Sequence, residues 1–379
     1  GTVFLYPVFG LTGIGFGVII GAVAYLAVNV PVVIGAGVMP VFRMPTFSLM
    51  SSVMRDSIPR SLALGVGSVT ALALTAIASR IGTGAVSVFT FALNLEAVPL
   101  ALIGSSYAIA AFPALSEASA PEKRDDFIRI LSSSARHIIL WSIVALGLTI
   151  VLRAHIVRVV LGTGAFDWNA TRLTAALLAV LAVGLAAQGL AILFSRALYA
   201  VKQSWRPLFY QLAGGTLTII LAVIFLFIGK DGVPSSLAIF LRVEDVHGTG
   251  VLLIAAAAML GQLFLAILSL IALRNIVPGL AGRLLRPLVD GSIAAAAGGA
   301  AAYAVLMIEG GIAPLTTLMS VFTQGLVAGI VGLSVSGLAL FIIENEEFRI
   351  VANALAGLLR IHGTRSEVLA PSAEEPPKP

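Results

Sequence analysis

About nine apolar runs, each long enough to cross a hydrocarbon core, leave this 379-residue chain very few folds. A helix of about 20 apolar residues spans a bilayer. The runs are Gly10 to Val30, Ile58 to Ala78, Val86 to Leu115, Ser132 to Leu152, Leu173 to Leu198, Leu208 to Ile228, Val251 to Leu273, Leu288 to Ile308 and Leu315 to Ile343. In lipid every backbone polar group must be satisfied within the protein, so only helices and closed barrels cross. The alternating apolar and polar strands of a barrel, with their aromatic girdles, are missing from this Ala-, Leu- and Gly-rich sequence. The residues are 59% hydrophobic and 11% charged, with a mean hydropathy of +1.05, whereas about a quarter of a soluble domain is charged. The fold class is therefore all-α: a polytopic helical membrane protein.

The basic residues orient the bundle. A net charge of +5 and an isoelectric point near 9.8 would suit nucleic acid in a soluble chain, but in a membrane protein the placement of each charge carries more information than the sum. Seventeen of the 23 Lys and Arg residues fall in one alternate set of loops and the C-terminal tail, Arg43, Arg60, Lys123, Arg196 and Arg283 among them. By the positive-inside rule that set is cytoplasmic, with the C-terminus inside, and no nucleic acid is needed to explain the charge. There is no cysteine, so disulfides, cysteine-ligated zinc and a thiol nucleophile are excluded. His137, His155, His247 and His362 lie far apart at loops or helix ends, which leaves no metal site and no cofactor to expect.

Gly1 to Val8 reads as the end of a preceding helix turned at Pro7 and Gly10, so the chain reads as a fragment that has lost at least one upstream span. Val32 to Asp56 reads as a cytoplasmic connection between helical lobes, with a short interfacial helix over Ser48 to Arg55. Ala118 to Arg129 reads as a solvated loop and Leu237 to Val243 as a short surface helix. Phe348 to Ile361 alternates apolar and basic residues at helical spacing, as an interfacial helix does. Ser366 to Pro379, rich in Pro and Glu, has the composition of a disordered tail.

The run Val86 to Leu115 carries Asn94, Glu96 and Pro99, polar or helix-breaking residues at a depth where lipid penalises them. An ionisable side chain there is a functional candidate by default. A buried carboxyl must be protonated or paired with a cation, and either state suits a transporter coupled to a proton or sodium ion. Pro99 denies a hydrogen bond to the carbonyl of Leu95, beside both polar residues. Ser87, two turns before Asn94, shares its face. The candidate cavity residues are thus Ser87, Asn94 and Glu96. Arg80 and Arg196 are candidate contacts for a diphosphate. Arg60 also stands at a helix end where it could meet one, although snorkelling and the positive-inside rule already account for basic residues there. An interhelical hydrogen bond accounts for Gln188.

Several segments, in order and at matching spacing, carry a resemblance. Phe91-Ala92-Leu93-Asn94-Leu95, with Pro99-Leu100 and then Phe112-Pro113-Ala114-Leu115-Ser116, is similar to the eighth helix of the MurJ (MviN) family of lipid II flippases. That family lies within the superfamily of multidrug, oligosaccharidyl-lipid and polysaccharide exporters. Gly164-Ala165-Phe166-Asp167 with Thr171 resembles its "GxFD" external loop, and Arg196-Ala197-Leu198-Tyr199-Ala200 with Pro207 its "RxxYA" turn. The resemblance runs to about Ile343.

It implies a first-lobe remnant over 1–31, an inter-lobe linker over 32–57, the complete second six-helix lobe over 58–274, two C-terminal transmembrane helices over 275–343, and a cytoplasmic helix and tail over 344–379. It further implies a monomer in the bacterial cytoplasmic membrane whose partners are the bilayer and an undecaprenyl-diphosphate-linked peptidoglycan precursor, flipped by alternating access. Ser87 matches a cavity serine of the family's eighth helix. Asn94 stands where the family has an arginine, and Glu96 sits one position before a carboxylate found in some members. The runner-up readings are a flippase for another lipid-linked oligosaccharide and a drug/cation antiporter. A membrane enzyme would want paired carboxylates or a histidine near the surface, and Asp125 and Asp126 have no histidine beside them.

Overall fold

A computed structural model describes residues 4–35, 37, 46–162, 166–229, 232–310 and 317–363, and every regular element among them is helical. The middle of the inter-lobe linker with Arg43, Gly164 and Ala165 of the loop motif, and the tail over 366–379 lie outside the described residues. The chain divides into two units, Gly1–Arg55 and Asp56–Pro379. In the first, the single turn α1 (Tyr6–Phe9) reverses at Gly10 into α2 (Leu11–Gly35), and Phe9 meets Phe16 edge to face at 5.9 Å. A Cβ at Gly13 would strike the backbone of Leu5, so that glycine permits the reversal.

The second unit holds the remaining spans. Helix α3 (Phe47–Ala78) enters it at Asp56 as one continuous helix, where the sequence suggests a separate interfacial piece before the span. Helix α4 (Ala85–Leu100) passes through a π turn, Ala101–Ser105, into α5 (Ser106–Glu117). The π turn begins two residues after Pro99. Helix α6 (Arg124–Leu161) absorbs half of the segment expected to be a solvated loop. Asp125 and Asp126 in its first turn and Arg158 in its last complement the helix dipole, which lets it outrun its apolar stretch at both ends.

The run expected as one span over Leu173 to Leu198 is broken into α7 (Trp168–Ala182) and α8 (Leu185–Ala200), bent by 46° at Val183 and Gly184. Helices α9 (Trp205–Ile228), the short α10 (Ser235–Leu241), α11 (Val251–Leu273), α12 (Leu280–Gly310), α13 (Leu318–Ile342) and α14 (Glu346–Gly363) follow. Eight described helices are long and apolar enough to span, nine with the bent pair taken as one.

Two buried clusters mark the two ends of this unit. One joins Ala108–Ala118, the start of α6, the C-terminal half of α8 and the α11–α12 connection. The other joins the end of α3, the start of α4, α7 and the loop that carries α10. Helix α12 packs along α6 and α13, where Gly298 and Gly332 let backbones approach and Ser336 Oγ donates to Ala294 O at 3.0 Å. Glycine at such crossings is the usual device of membrane helix packing. Gly325 likewise lies against His155, whose Nε2 is 3.0 Å from Gln324 Oε1.

Candidate functional site

The bend between α7 and α8 and the bulge between α4 and α5 meet each other. A Cβ at Gly104, in the π turn, would lie 2.7 Å from Gly189 Cα, and one at Gly189 would lie 2.7 Å from Ile138 Cγ2. This crossing brings Gln188, one residue from Gly189 and one turn past the bend, against α4. Its Nε2 donates to Glu96 Oε1 at 2.6 Å. Glu96 is 3% exposed and makes no ion pair among the described residues. An intramembrane carboxyl is therefore held by an amide, not by a cation.

Around this pair the helices leave a space lined by apolar surface and several polar side chains. A pocket of about 160 Å³ is lined by Glu96, Gln188, Thr70, Gln211, Thr218 and Gln262, with Gly67, Gly214, Gly215 and Gly261 between them. It shares Gln188, Gln211 and Gln262 with a larger cavity of about 570 Å³ that reaches Arg60, Ser195, Arg196, Tyr199 and Pro207. Each wall is one face of one helix. Residues 188, 192, 195, 196 and 199 recur at three- and four-residue spacing on α8, as do 60, 63, 64, 67 and 70 on α3 and 207, 211, 214 and 218 on α9. Arg60 Cζ lies 4.8 Å above the centre of the Tyr199 ring.

The structure brings together two of the five residues singled out from sequence. Glu96 lines the inner pocket and Arg196 the outer cavity, with Gln188 lining both. Asn94 is separated from Glu96, because two residues turn a helix by about 200°. Asn94, Thr90 and Ser87 are exposed together on another face of α4, and neither Asn94 nor Ser87 lines this cavity. Arg80 is exposed at the opposite end of α3. Sequence reasoning gave Gln188 an interhelical hydrogen bond, which the structure shows, without naming Glu96 as its partner, and it passed over Gln211 and Gln262. The signal was present: each is an amide inside an apolar run, the same departure that drew attention to Asn94.

Two motifs acquire physical roles. Asp167 caps α7, its Oδ1 accepting from the backbone N–H of Ala170 at 2.7 Å, and Phe166 meets Phe91 edge to face at 5.8 Å. In the α8 motif, Arg196 and Tyr199 are the cavity-lining members. At the far end of the unit, Arg172 donates to both carboxylate oxygens of Asp245, at 2.6 and 2.8 Å, and to the carbonyl of Arg242. That guanidinium holds the Asp245 carboxyl below its ordinary range.

Comparison with known proteins places these features. The family profile described as "Lipid II flippase MurJ" matches residues 1–240. A curated relative named "Probable lipid II flippase MurJ" from Thermotoga maritima is 29% identical over 192 residues, half of this chain and 39% of that protein. The chain thus matches about two-fifths of that relative's length. A solved structure of "Lipid II flippase MurJ, inward closed conformation" is similar with a TM-score of 0.61 at 18% identity, over 90% of this chain and 65% of that one. This structural likeness extends the agreement in fold past residue 240, where the profile ends. A MOP-superfamily transporter from Pyrococcus furiosus has a TM-score of 0.41 at 17% identity, over 77% of this chain and 68% of that one. With a profile that covers more than half its residues, the chain belongs to the lipid II flippase MurJ family.

Proposed function

We propose that this chain is part of a flippase that carries an undecaprenyl-diphosphate-linked peptidoglycan precursor across the bacterial cytoplasmic membrane by alternating access. The observation that carries this reading is the set of polar side chains Glu96, Gln188, Gln211 and Gln262 that line two adjoining cavities among spanning helices in a MurJ-family chain. A saccharide and diphosphate headgroup needs hydrogen-bonding groups and water at membrane depth, while its polyprenyl tail stays in lipid. The cavity has two arginines against one buried carboxyl, a balance that favours an anionic headgroup over the cation of a drug antiporter.

In this reading residues 58–274 form the second lobe and 275–343 the additional helix pair. The molecule works as a monomer and its arginine-rich end, with the C-terminus, faces the cytoplasm. Glu96 is the candidate coupling group, exchanging a proton or a sodium ion as its link to Gln188 opens and closes. The exposed row Ser87, Thr90 and Asn94 is a second polar surface available to the headgroup. No catalytic step is assigned to any residue.

The test is complementation. The full-length protein containing this chain is expressed in bacteria depleted of their own lipid II flippase, beside Glu96→Gln, Gln188→Leu and Asn94→Ala. Growth with the native protein, lost at equal expression in Glu96→Gln and Gln188→Leu, is the expected result. A stably inserted native protein that never restores growth refutes the substrate assignment. Full rescue by both Glu96→Gln and Gln188→Leu refutes the role of the pair.

A further inference from the structure

We propose that the first turn of α14 is a latch that positions the helix bearing Glu96, with Arg136, His137 and Trp141 of α6 as the positioning residues between them. A helix at a membrane surface ordinarily buries an apolar stripe and leaves its charges in water. This one starts otherwise. The chain leaves α13 at Glu344, a non-glycine residue in the left-handed region at φ 51°, and polar residues that follow are buried, Asn345 at 1% exposure and Glu347 at 4%. Asn345 Nδ2 donates to Asp290 Oδ2 of α12. Glu347 Oε1 lies 2.9 Å from Arg136 Nε, and Glu346 Oε2 lies 3.4 Å from Nη1 of the same guanidinium. Phe348 packs on Trp141, ring centroids 6.5 Å apart, and on Gly337, where a Cβ would lie 3.4 Å from Phe348 Cε2. Beyond this turn Arg349, Ile350, Asn353 and Ala354 are exposed.

Such a contact is built to be whole or absent. A buried ion pair adds little net stability over apolar packing, but removing one partner leaves a stranded charge. The exposed pairs Lys123–Glu117 and Arg129–Asp126 carry no such consequence. The same stretch of α6 also holds α5. His137 stacks on the Tyr107 ring, centroids 5.2 Å and planes 10° apart, and Trp141, one turn on, lies within hydrogen-bond reach of the Tyr107 side chain. Trp141 thus touches Phe348 of α14 and Tyr107 of α5 at once. From Tyr107 the chain runs back through the π turn into α4 and reaches Glu96 in about three turns. Between them Gly104 lies against Gly189, so the crossing acts as a pivot: a shift of α5 at Tyr107 is carried to the Glu96–Gln188 bond on its other side.

Hydrogen exchange of the purified full-length protein in phosphatidylcholine nanodiscs, read by mass spectrometry, reports each helix separately. In Arg136→Gln, exchange is expected to rise roughly tenfold over 346–354 and over 106–117 together, with α9 and α11 unchanged. Arg136→Lys keeps the charge and should keep most of the protection at both places. Tyr107→Leu removes the ring that meets His137 and Trp141, and should raise exchange over 106–117 alone. If Arg136→Gln also raises exchange across α9 and α11, a sign of general unfolding, Glu347→Gln takes its place, since it removes the charge and keeps the side-chain shape.

Exchange over 106–117 that stays unchanged when α14 is released overturns the proposal, as does α14 protection that survives both Arg136→Gln and Glu347→Gln. The consequence for transport rests on the flippase reading. In the complementation assay Arg136→Gln and Tyr107→Leu should both reduce rescue at equal expression, while Arg136→Lys should not. Full rescue by both Arg136→Gln and Tyr107→Leu overturns the positioning role. Because exchange is read without transport, coupled exchange in a protein that never restores growth refutes the flippase reading alone.

Discussion

The bond from Gln188 to Glu96 is open to a direct energetic test. Gln188→Leu removes the amide that meets Glu96 Oε1 at 2.6 Å and leaves a carboxyl that is 3% exposed without its partner. Leaving a buried polar group unsatisfied costs about 1–3 kcal/mol, while replacing both partners by apolar groups of similar shape is close to neutral. Glu96→Leu/Gln188→Leu is therefore expected to be more stable than Gln188→Leu, and the native, two single and double variants form a cycle whose coupling energy isolates the pair.

The size of that coupling discriminates between states. Interhelical hydrogen bonds between neutral groups in a membrane average about 0.6 kcal/mol and reach about 1.7, because the unfolded helices also find partners in lipid. A bond to an ionised group contributes about 1.5–3 kcal/mol. Reversible unfolding in mixed micelles, followed by circular dichroism as the SDS fraction rises, measures all four proteins. A coupling indistinguishable from zero would show that the two side chains do not depend on each other, and the site would lose its central contact.

Other perturbations probe the frame. Gly189→Ala places a Cβ 2.7 Å from Ile138 Cγ2, so it should destabilise by about 1–3 kcal/mol in the same unfolding assay, whereas Gly65→Ala, with open space around it, should stay within about 0.5 kcal/mol of the native protein. Equal behaviour of the two would refute the close crossing of α8 with the π turn. Asn345 Nδ2 donates to Asp290 Oδ2 at 2.8 Å while its Oδ1 accepts from the Phe348 N–H at 2.9 Å, capping α14. Asn345→Ala removes both bonds, a cap alone being worth about 1 kcal/mol, and limited proteolysis should cut within α14 faster; an unchanged cleavage rate removes that assignment.

Asp245 is held below its ordinary value of 3.8 by Arg172, so its link stabilises the loop above that value and is lost as pH falls through the lower, folded one. Hydrogen exchange across 242–248, corrected for intrinsic rates, should rise only below about pH 4, and Asp245→Asn should show the raised exchange already at about pH 6. No difference between native and Asp245→Asn at that higher pH would refute the tether.

The sequence was legible wherever a property repeats along one helix. Spanning length identified the all-α membrane class, since it depends on the solvent a segment meets and not on its neighbour. The anomaly of Glu96 in an apolar run was legible for the same reason, and it marked the helix that lines the inner pocket. Reading Asn94 and Glu96 as a cluster failed because closeness along a helix is not closeness in space: two residues turn it by about 200° and put one in the core and the other on an exposed face.

Tertiary structure alone decided which groups meet. Gln188 reaches Glu96 across 92 residues because α7 and α8 bend at Val183 and Gly184 and because Gly104 and Gly189 let two backbones nearly touch. Arg60 and Arg196 share a cavity because α3 and α8 each turn one face toward the same space. Sequence by itself determined how each helix partitions between water and lipid, a local free energy summed along the chain. The angles and separations at which helices cross depend on every neighbouring side chain at once, and those alone turned scattered amides and arginines into a site.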